Sequence, residues 1–191
     1  MSRRRVVIAT RKSALALAQS RAFIARLAAL HPEVSFEELL VTTTGDVVQD
    51  RPLAEIGGKG LFVKEIEEAL LDGRADIAIH SLKDVPPRLL PSLSIDCIPE
   101  REDPRDVLVS RSGLSLAELP PGSRVGTGSL RRRVQLLAYR GDLEVVAIRG
   151  NVDTRLRRCE SGEVDAVVLA RAGLNRLGLS ARATENIAPE V

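Results

Sequence analysis

The chain has 191 residues, 44% of them hydrophobic, and a formal net charge of +2. This length is enough for one or two domains with buried cores, and we expect two. No stretch approaches the roughly 18 apolar residues of a membrane span, and the apolar run after the N-terminal arginines is too short for a signal peptide. We therefore expect a cytoplasmic protein that binds no membrane. The expected oligomeric state is a monomer.

Aromatic residues and cysteines are scarce. With three Phe, one Tyr and no Trp, the chain has few of the aromatic side chains on which nucleic-acid bases stack, so nucleic acid is not an expected partner. Cys97 and Cys159 are far apart and lack the Cys/His spacing of a metal site or a disulfide framework. We expect two buried, reduced thiols and no bound metal.

Short β-branched segments alternate with amphipathic ones in the first half of the chain. The spacing predicts a helix at 13–30 with Ser13 as its N-cap, and a helix at 61–72 that stops at Gly73. Between them, residues 42–60 form a long, polar, glycine-rich loop, and loops of that length are usually functional or mobile. The β-branched segments predict strands at 6–10, 34–42, 75–81 and 93–99.

A charged, proline-containing segment at 101–106 interrupts this pattern, and we expect a domain boundary there. The alternation then resumes, although the two halves show no residue-level repeat. The second half predicts helices at 129–140 and 152–161, and strands at 106–110, 124–128, 144–148 and 165–170. The whole pattern predicts an α/β fold with parallel sheets, in two domains at 1–100 and 101–191.

Nearly every predicted strand is followed by a cation. In open parallel sheets ligands bind beyond the carboxyl ends of the strands, where helix N-termini also present free N–H groups. One arginine there is most often a solvated surface charge, but many converging cations repel one another unless an anion lies among them. We expect a small ligand with several carboxylates or phosphates. The residues at these positions are Arg11, Ser13, Lys83, Asp84, Thr127, Ser129, Arg131, Arg132, Arg149, Arg155, Arg171 and Arg176.

Asp84 is the single acid in that set. Its carboxylate could exchange a proton with a ligand, or it could equally form a charged turn with Lys83 before Pro86. His80 ends a predicted strand and fits a hydrogen-bonded core histidine better than a catalyst. Phe62, beside the glycine-rich loop, fits a residue that staples the start of a helix. The GGKG at 57–60 lacks the Ser or Thr and the spacing of a phosphate-binding loop, which excludes an NTPase.

Eight segments together resemble the porphobilinogen deaminases, also called hydroxymethylbilane synthases. In chain order they are ATRKSALALAQ, VTTTGD, GGKGLFVKEIE, ADIAIHSLKDVP, REDPRD, VGTGSLRR, RGNVDTRL and LARAGLNRLGL. The resemblance covers essentially the whole chain. It implies two lobes like those of type II periplasmic binding proteins, with the active site in a central cleft. It also implies a transferase of heme biosynthesis that joins four porphobilinogen units into hydroxymethylbilane and releases ammonia.

The resemblance assigns roles to the strand-end residues. Asp84 would be catalytic: it would contact the pyrrole N–H groups, assist the loss of ammonia and stabilise the electrophilic azafulvene. Arg11, Arg149, Arg155 and Arg176 would bind the carboxylates of porphobilinogen and of the linear pyrrole chain. Lys59 and Phe62 would belong to a mobile lid over the site. The dipyrromethane cofactor would be held by Arg11, Ser13, Lys83, Asp84, Thr127, Ser129, Arg131, Arg132, Arg149 and Arg155.

Two departures from the family pattern affect these expectations. Gly128 stands where many members have a second serine, which removes a hydroxyl but keeps the backbone N–H. The resemblance implies a third domain whose cysteine carries the cofactor; we expect this chain to lack it, and neither Cys97 nor Cys159 matches its motif. We therefore expect no covalent cofactor and no activity in this chain, whether it is a fragment, a proteolysed product or a short homologue.

Two functions of different classes compete. One is the transferase or a part of it, indicated by Asp84 among the arginines. The other is a non-catalytic, two-lobed binding module for a small polycarboxylate, which binding of a pyrrole without its consumption would indicate. A purely structural protein has little support, because structure alone does not require so many cations at strand ends.

Overall fold

A computed structural model describes residues 4–47 and 61–190 of the chain. Contacts divide the chain into two compact units, Met1–Pro99 and Glu100–Val191. Each unit has its own sheet with helices connecting the strands, so the predicted α/β class is confirmed. In the described residues, no helix is both long and apolar enough to cross a membrane.

The first unit is built on a three-stranded sheet whose order is β2-β1-β3. Both pairings are parallel, so the three strands end at the same edge of the sheet. The described strands are β1 (Arg4–Arg11), β2 (Val34–Val41) and β3 (Ile77–Ala78), and the helices are α1 (Ala14–Leu30), α2 (Thr44–Val47) and α3 (Lys64–Leu71).

Helix α1 begins where the sequence predicts. The side chain of Ser13 accepts a hydrogen bond from the backbone N–H of Ala16, which satisfies one of the free donors of the first turn. Further along, Ser20 of α1 and Thr10 of β1 share a hydrogen bond of 2.7 Å between their hydroxyl oxygens. Both residues are fully buried, so this bond ties the helix to the central strand.

Replacing Thr10 by Val should destabilise the first unit by about 1 kcal/mol, because the hydroxyl of Ser20 loses its buried partner. The double variant Thr10→Val/Ser20→Ala removes both polar groups and should recover most of that loss. Chemical denaturation of the three proteins measures the difference. Equal stability of the single and double variants would show that this hydrogen bond has no energetic role.

The second unit has a five-stranded sheet of order β6-β5-β7-β4-β8. Its two faces are covered by apolar clusters around Leu108 and Val167. The strands are β4 (Asp106–Ser110), β5 (Arg124–Thr127), β6 (Glu144–Ala147), β7 (Ala166–Ala170) and β8 (Glu185–Asn186), and the helices are α4 (Leu130–Tyr139), α5 (Val152–Glu160) and α6 (Arg171–Arg176).

The direction of β4 differs from the parallel arrangement that the strand-end pattern indicates. Strands β5, β6 and β7 are mutually parallel where they pair, but β4 is antiparallel to both β7 and β8. Asp106, the first residue of β4, therefore pairs with Ala170, the last residue of β7. The beginning of β4 lies at the edge where β5, β6 and β7 end, and this edge is the one that carries the predicted ligand-binding residues.

Of the strands predicted in the first unit, one is too long and another is wrong. The segment 75–81 forms only the short strand β3, and the predicted strand at 93–99 is not a strand. The second error has a physical cause, since that segment pairs with no described strand and its residues are exposed except for Leu93. Consequently Cys97 is exposed rather than buried, whereas Cys159 on α5 is buried as expected.

Candidate functional site

The carboxyl edge of the first sheet brings Asp84 and Arg11 together. A guanidinium nitrogen of Arg11 lies 3.9 Å from a carboxylate oxygen of Asp84, and both side chains are mostly shielded from solvent. The guanidinium carbon of Arg11 also lies 4.2 Å from the centre of the Phe62 ring, a cation–π contact. Phe62 therefore packs on a predicted ligand-binding arginine, which a helix staple alone does not require.

The backbone before Asp84 is held by a residue that the sequence analysis does not single out. The side-chain amide of Gln19, on α1, donates to the carbonyl of His80 at 3.2 Å, and its oxygen accepts a hydrogen bond from Ser81 at 2.8 Å. These bonds precede the 3₁₀ turn Leu82–Asp84. Gln19 follows the apolar residues 14–18 but is itself followed by Ser20 and Arg21, so its polarity did not single it out.

His80 is partly buried beside Asp84 and Arg11. Burial lowers its pKa below the ordinary value, and the nearby charge of Asp84 offsets this only in part. The neutral imidazole is therefore the favoured form around neutral pH. Lys83 follows in the 3₁₀ turn with its side chain exposed, while Lys59 lies outside the described residues.

Phe62 packs against the start of α2 as well as against Arg11. An ideal Cβ on Gly45 would lie 2.2 Å from an atom of the Phe62 ring, so only glycine leaves room for the ring there. Next to it, the backbone N–H and the hydroxyl of Thr44 both donate to the Glu65 carboxylate on α3. Burial alone would raise the pKa of Glu65, but these hydrogen bonds hold it below its usual range.

Replacing Gly45 by Ala should displace the Phe62 ring from Arg11 or destabilise the first unit by about 1–3 kcal/mol, as is usual for overpacking. Gly141→Ala is the matched control, because a Cβ there makes only an ordinary contact at 3.4 Å. Thermal unfolding together with the aromatic proton shifts of Phe62 measures both effects. A Gly45→Ala protein with unchanged melting temperature and Phe62 shifts would contradict this packing.

The carboxyl edge of the second sheet is a cradle of hydrogen-bond donors. Ser129 caps α4 and accepts a hydrogen bond from the backbone N–H of Arg132, while its own N–H donates to the hydroxyl of Thr127. Each hydroxyl here is used as an acceptor and still has a proton to donate. The backbone at Gly128 passes so near the carbonyl of Ile148 that an added Cβ would lie 2.8 Å from its oxygen.

Arg155, on α5, is a largely buried cation at this edge of the sheet. Its Nε donates to the carbonyl of Gly150 at 2.8 Å. Its pKa is lowered by burial and, further, by the positive charges of Arg132, Arg149 and Arg158. Among residues 4–47 and 61–190, no carboxylate forms an ion pair with it. Arg132 and Arg158 are themselves paired with Asp106 and Glu163, so Arg155 is a candidate for binding an anion at this edge.

Arg131 and Arg132 were also expected to bind the ligand. In the structure both are paired with Asp106. Its carboxylate accepts one hydrogen bond from Arg131 and two from Arg132, at 2.6–2.9 Å. Burial alone would raise the pKa of Asp106, but these arginines hold it below its ordinary value. Asp84 is thus not the only acid at the strand ends. Asp106 cannot be recognised from the sequence as a residue of this edge, because it precedes a strand that runs in the opposite direction.

The remaining predicted cations are distributed around α6. Arg171 begins this helix directly after β7 and donates to the carbonyl of Ser180 at 3.4 Å. Arg176 ends it near Glu102, whose pKa is lowered by the N–H of Asp103, the amide of Asn175 and the charge of Arg176. Arg176 is therefore close to an acid of its own unit, which its position in the sequence did not indicate.

Comparison with known proteins identifies the family. The family model described as "Porphobilinogen deaminase, dipyromethane cofactor binding domain" matches residues 6–191. The chain belongs to the porphobilinogen deaminase family. The porphobilinogen deaminase of Sorangium cellulosum is 64% identical over 186 residues, which are 97% of this chain and 62% of that protein. That of Syntrophotalea carbinolica is 53% identical over 191 residues, 100% of this chain and 61% of that protein.

The chain thus spans about three fifths of the length of these porphobilinogen deaminases. Among solved structures, a probable amino-acid ABC transporter extracellular-binding protein from Bacillus subtilis matches with a TM-score of 0.50 and 11% identity, over 98% of this chain and 79% of that one. This likeness concerns the fold alone. It confirms the predicted class of periplasmic-binding-protein-like lobes for this member of the porphobilinogen deaminase family.

Proposed function

We propose that this chain carries the pyrrole-binding and proton-handling residues of a porphobilinogen deaminase, the transferase that condenses four porphobilinogen units into hydroxymethylbilane with release of ammonia. The observation that carries the proposal is Arg155, largely buried and surrounded by the charges of Arg132, Arg149 and Arg158. Asp106 pairs with Arg132 and Glu163 with Arg158, whereas no carboxylate of the described residues pairs with Arg155. An anionic ligand would offset this charge, and pyrrole intermediates carry an acetate and a propionate on each ring.

The donors of the second unit fit the dipyrromethane group that the family implies. Its carboxylates need N–H and O–H donors, and the edge supplies the guanidinium of Arg155 together with the hydroxyls of Thr127 and Ser129. Arg131 and Arg149 would add to this donor set. When bound, the group supplies the terminal pyrrole ring to which the next unit is joined.

In the first unit, Asp84 would handle charge on the reacting pyrrole. As ammonia leaves the aminomethyl carbon of porphobilinogen, positive charge develops on the ring, and a fixed carboxylate stabilises it. Asp84 would also accept a hydrogen bond from the pyrrole N–H. Arg11, 3.9 Å from this carboxylate and in contact with Phe62, would orient Asp84 and bind a substrate carboxylate. We propose the same substrate-binding role for Arg149, Arg155 and Arg176.

Lys83 and Ser13 complete the proposed cofactor-binding set. Ser13 lies at the N-terminus of α1 next to Arg11, and its capping role still leaves the hydroxyl proton for a ligand. The proposed lid role of Lys59 and Phe62 rests on the family resemblance, with the Phe62–Arg11 contact as its structural support. The expected monomer and cytoplasmic location stay predictions, and sedimentation of the purified chain would test the first.

Two experiments with one substrate test this function. Calorimetric titration of the 191-residue chain with porphobilinogen should show saturable binding that weakens at high salt, as charge-based binding does. A chimera that joins this chain to the part of the Sorangium cellulosum relative beyond the matched region should consume porphobilinogen. Absence of binding would contradict the proposal. Binding without consumption by the chimera would favour the alternative, a non-catalytic polycarboxylate receptor.

A further inference from the structure

The carboxylate of Asp106 organises two neighbouring arginines at the edge of the second sheet. Its Oδ1 accepts from Nη2 of Arg132 at 2.6 Å, and its Oδ2 accepts from Nε of Arg132 at 2.9 Å and from Nη2 of Arg131 at 2.8 Å. The two bonds to Arg132 form a bidentate pair, the arrangement in which an arginine–carboxylate contact is strongest.

The two arginines differ in solvent exposure and in the hydrogen bonds that they make within the protein. The third nitrogen of Arg132, Nη1, donates to the carbonyl of Val168 at 3.2 Å, and only 13% of this side chain is exposed. All three nitrogens of Arg132 therefore donate within the protein, and its low exposure gives the second hydrogens of its Nη groups little access to a ligand. Arg131 is 62% exposed, and its Nη1 donates to Gln135 at 2.7 Å. Its Nε–H and the second hydrogens of its Nη groups point to no protein partner among the described residues.

The backbone holds Asp106 in place independently of its side chain. The residue pairs with Ala170 across the β4–β7 ladder, and its carbonyl accepts from the N–H of Ile187 at 2.9 Å. The carboxylate also contributes the negative charge that offsets Arg132, one of the cations that crowd Arg155. Without it, adjacent guanidinium groups would repel one another and lose their common acceptor.

We propose that Asp106 is a positioning residue for ligand binding: it locks Arg132 into the protein and orients Arg131 so that its free N–H groups meet a pyrrole carboxylate. This inference rests on the proposed function, because it specifies how one edge of that site is preorganised. Orienting a long, flexible side chain before the ligand arrives lowers the entropic cost of binding. Asp106 itself repels carboxylates and acts only through Arg131 and Arg132.

The test is the affinity of the chain for porphobilinogen, measured by calorimetry in wild type and in Asp106→Asn. Loss of the charge-assisted bonds should weaken binding about tenfold. Asp153→Asn is the matched control, since it makes the same change of net charge on an exposed residue of the same unit. If only net charge mattered, both variants would bind the dicarboxylate more tightly than wild type.

A double-mutant cycle tests whether Asp106 affects ligand binding through Arg131 or independently of it. In an Arg131→Met background, Asp106→Asn should change the affinity less than twofold, because Arg131 is the arginine of the pair that meets the ligand. The ¹⁵N signal of the Arg132 Nε–H, assigned with Arg132→Lys, should broaden in Asp106→Asn whether or not ligand is present. The melting temperature of each variant checks its folding.

The results of these experiments distinguish failure of the proposed function from failure of the role inferred for Asp106. Failure of the wild-type chain to bind porphobilinogen would overturn the proposed function and this inference with it. Wild-type binding together with unchanged or tighter binding by Asp106→Asn would overturn the inference alone. So would a loss of affinity that is the same with and without Arg131, or an Arg132 Nε–H signal that stays sharp in the Asp106→Asn protein.

Discussion

Replacing Asp84 by Asn should reduce porphobilinogen turnover by the chimera about 10²- to 10⁴-fold, with KM changed much less. The amide keeps the size of the side chain, but it neither offsets the positive charge that develops as ammonia leaves nor accepts a proton readily. The interaction is lost mainly in the transition state, so kcat takes most of the effect. Loss of porphobilinogen and appearance of oxidised porphyrin measure the rate.

Asp72→Asn is the control for this experiment. Asp72 is an exposed acid of the same unit that caps α3 and pairs with Arg74 on the surface. Its replacement should leave both kcat and KM close to wild type. A near-normal rate for Asp84→Asn would contradict the catalytic assignment and leave Asp84 as part of a charged turn with Lys83.

Replacing Arg155 by Met should have opposite effects on binding and on stability. Binding of porphobilinogen should weaken at least tenfold, because a largely buried donor to the carboxylates is removed. The unliganded protein should become more stable by less than about 1 kcal/mol, because removal of a desolvated charge outweighs loss of the hydrogen bond to the carbonyl of Gly150. Calorimetry and chemical denaturation of the same preparation measure the two changes.

The same helix supplies the control. Arg157 is 71% exposed and forms a surface pair with Asp153 at 3.6 Å. Arg157→Met removes the same charge from α5 and should change neither affinity nor stability appreciably, since exposed pairs contribute little. If Arg155→Met destabilised the unliganded protein, the guanidinium would have to be a structural element and not an anion site maintained at a cost in stability.

Much of the second unit is predictable from the sequence because its signals are local. Each predicted strand there is present within a residue or so, and α4 begins directly after Ser129, whose side chain caps it. A cap requires only the hydroxyl of one residue and the N–H groups of the next turn, so neighbours in sequence decide it. The α/β class follows from the same alternation.

Prediction fails where an element depends on a distant partner. Residues 93–99 have the composition of a strand, yet a strand forms only if a neighbour provides hydrogen bonds, and no described strand pairs with them. The role of Gln19 is likewise invisible locally, because its partners His80 and Ser81 lie more than sixty residues away along the chain. Side-chain polarity alone did not distinguish it from a surface glutamine.

The sequence by itself determined the family, the class of fold and the chemical character of the strand ends, because motifs, periodicity and residue types need no knowledge of distant neighbours. The tertiary structure alone decided which cations are already paired. Antiparallel pairing of β4 with β7 brings Asp106 to the edge where Arg131 and Arg132 emerge, whereas no such acid reaches Arg155 among the described residues. Strand direction is set by long-range hydrogen bonds and core packing, and a local pattern does not carry it.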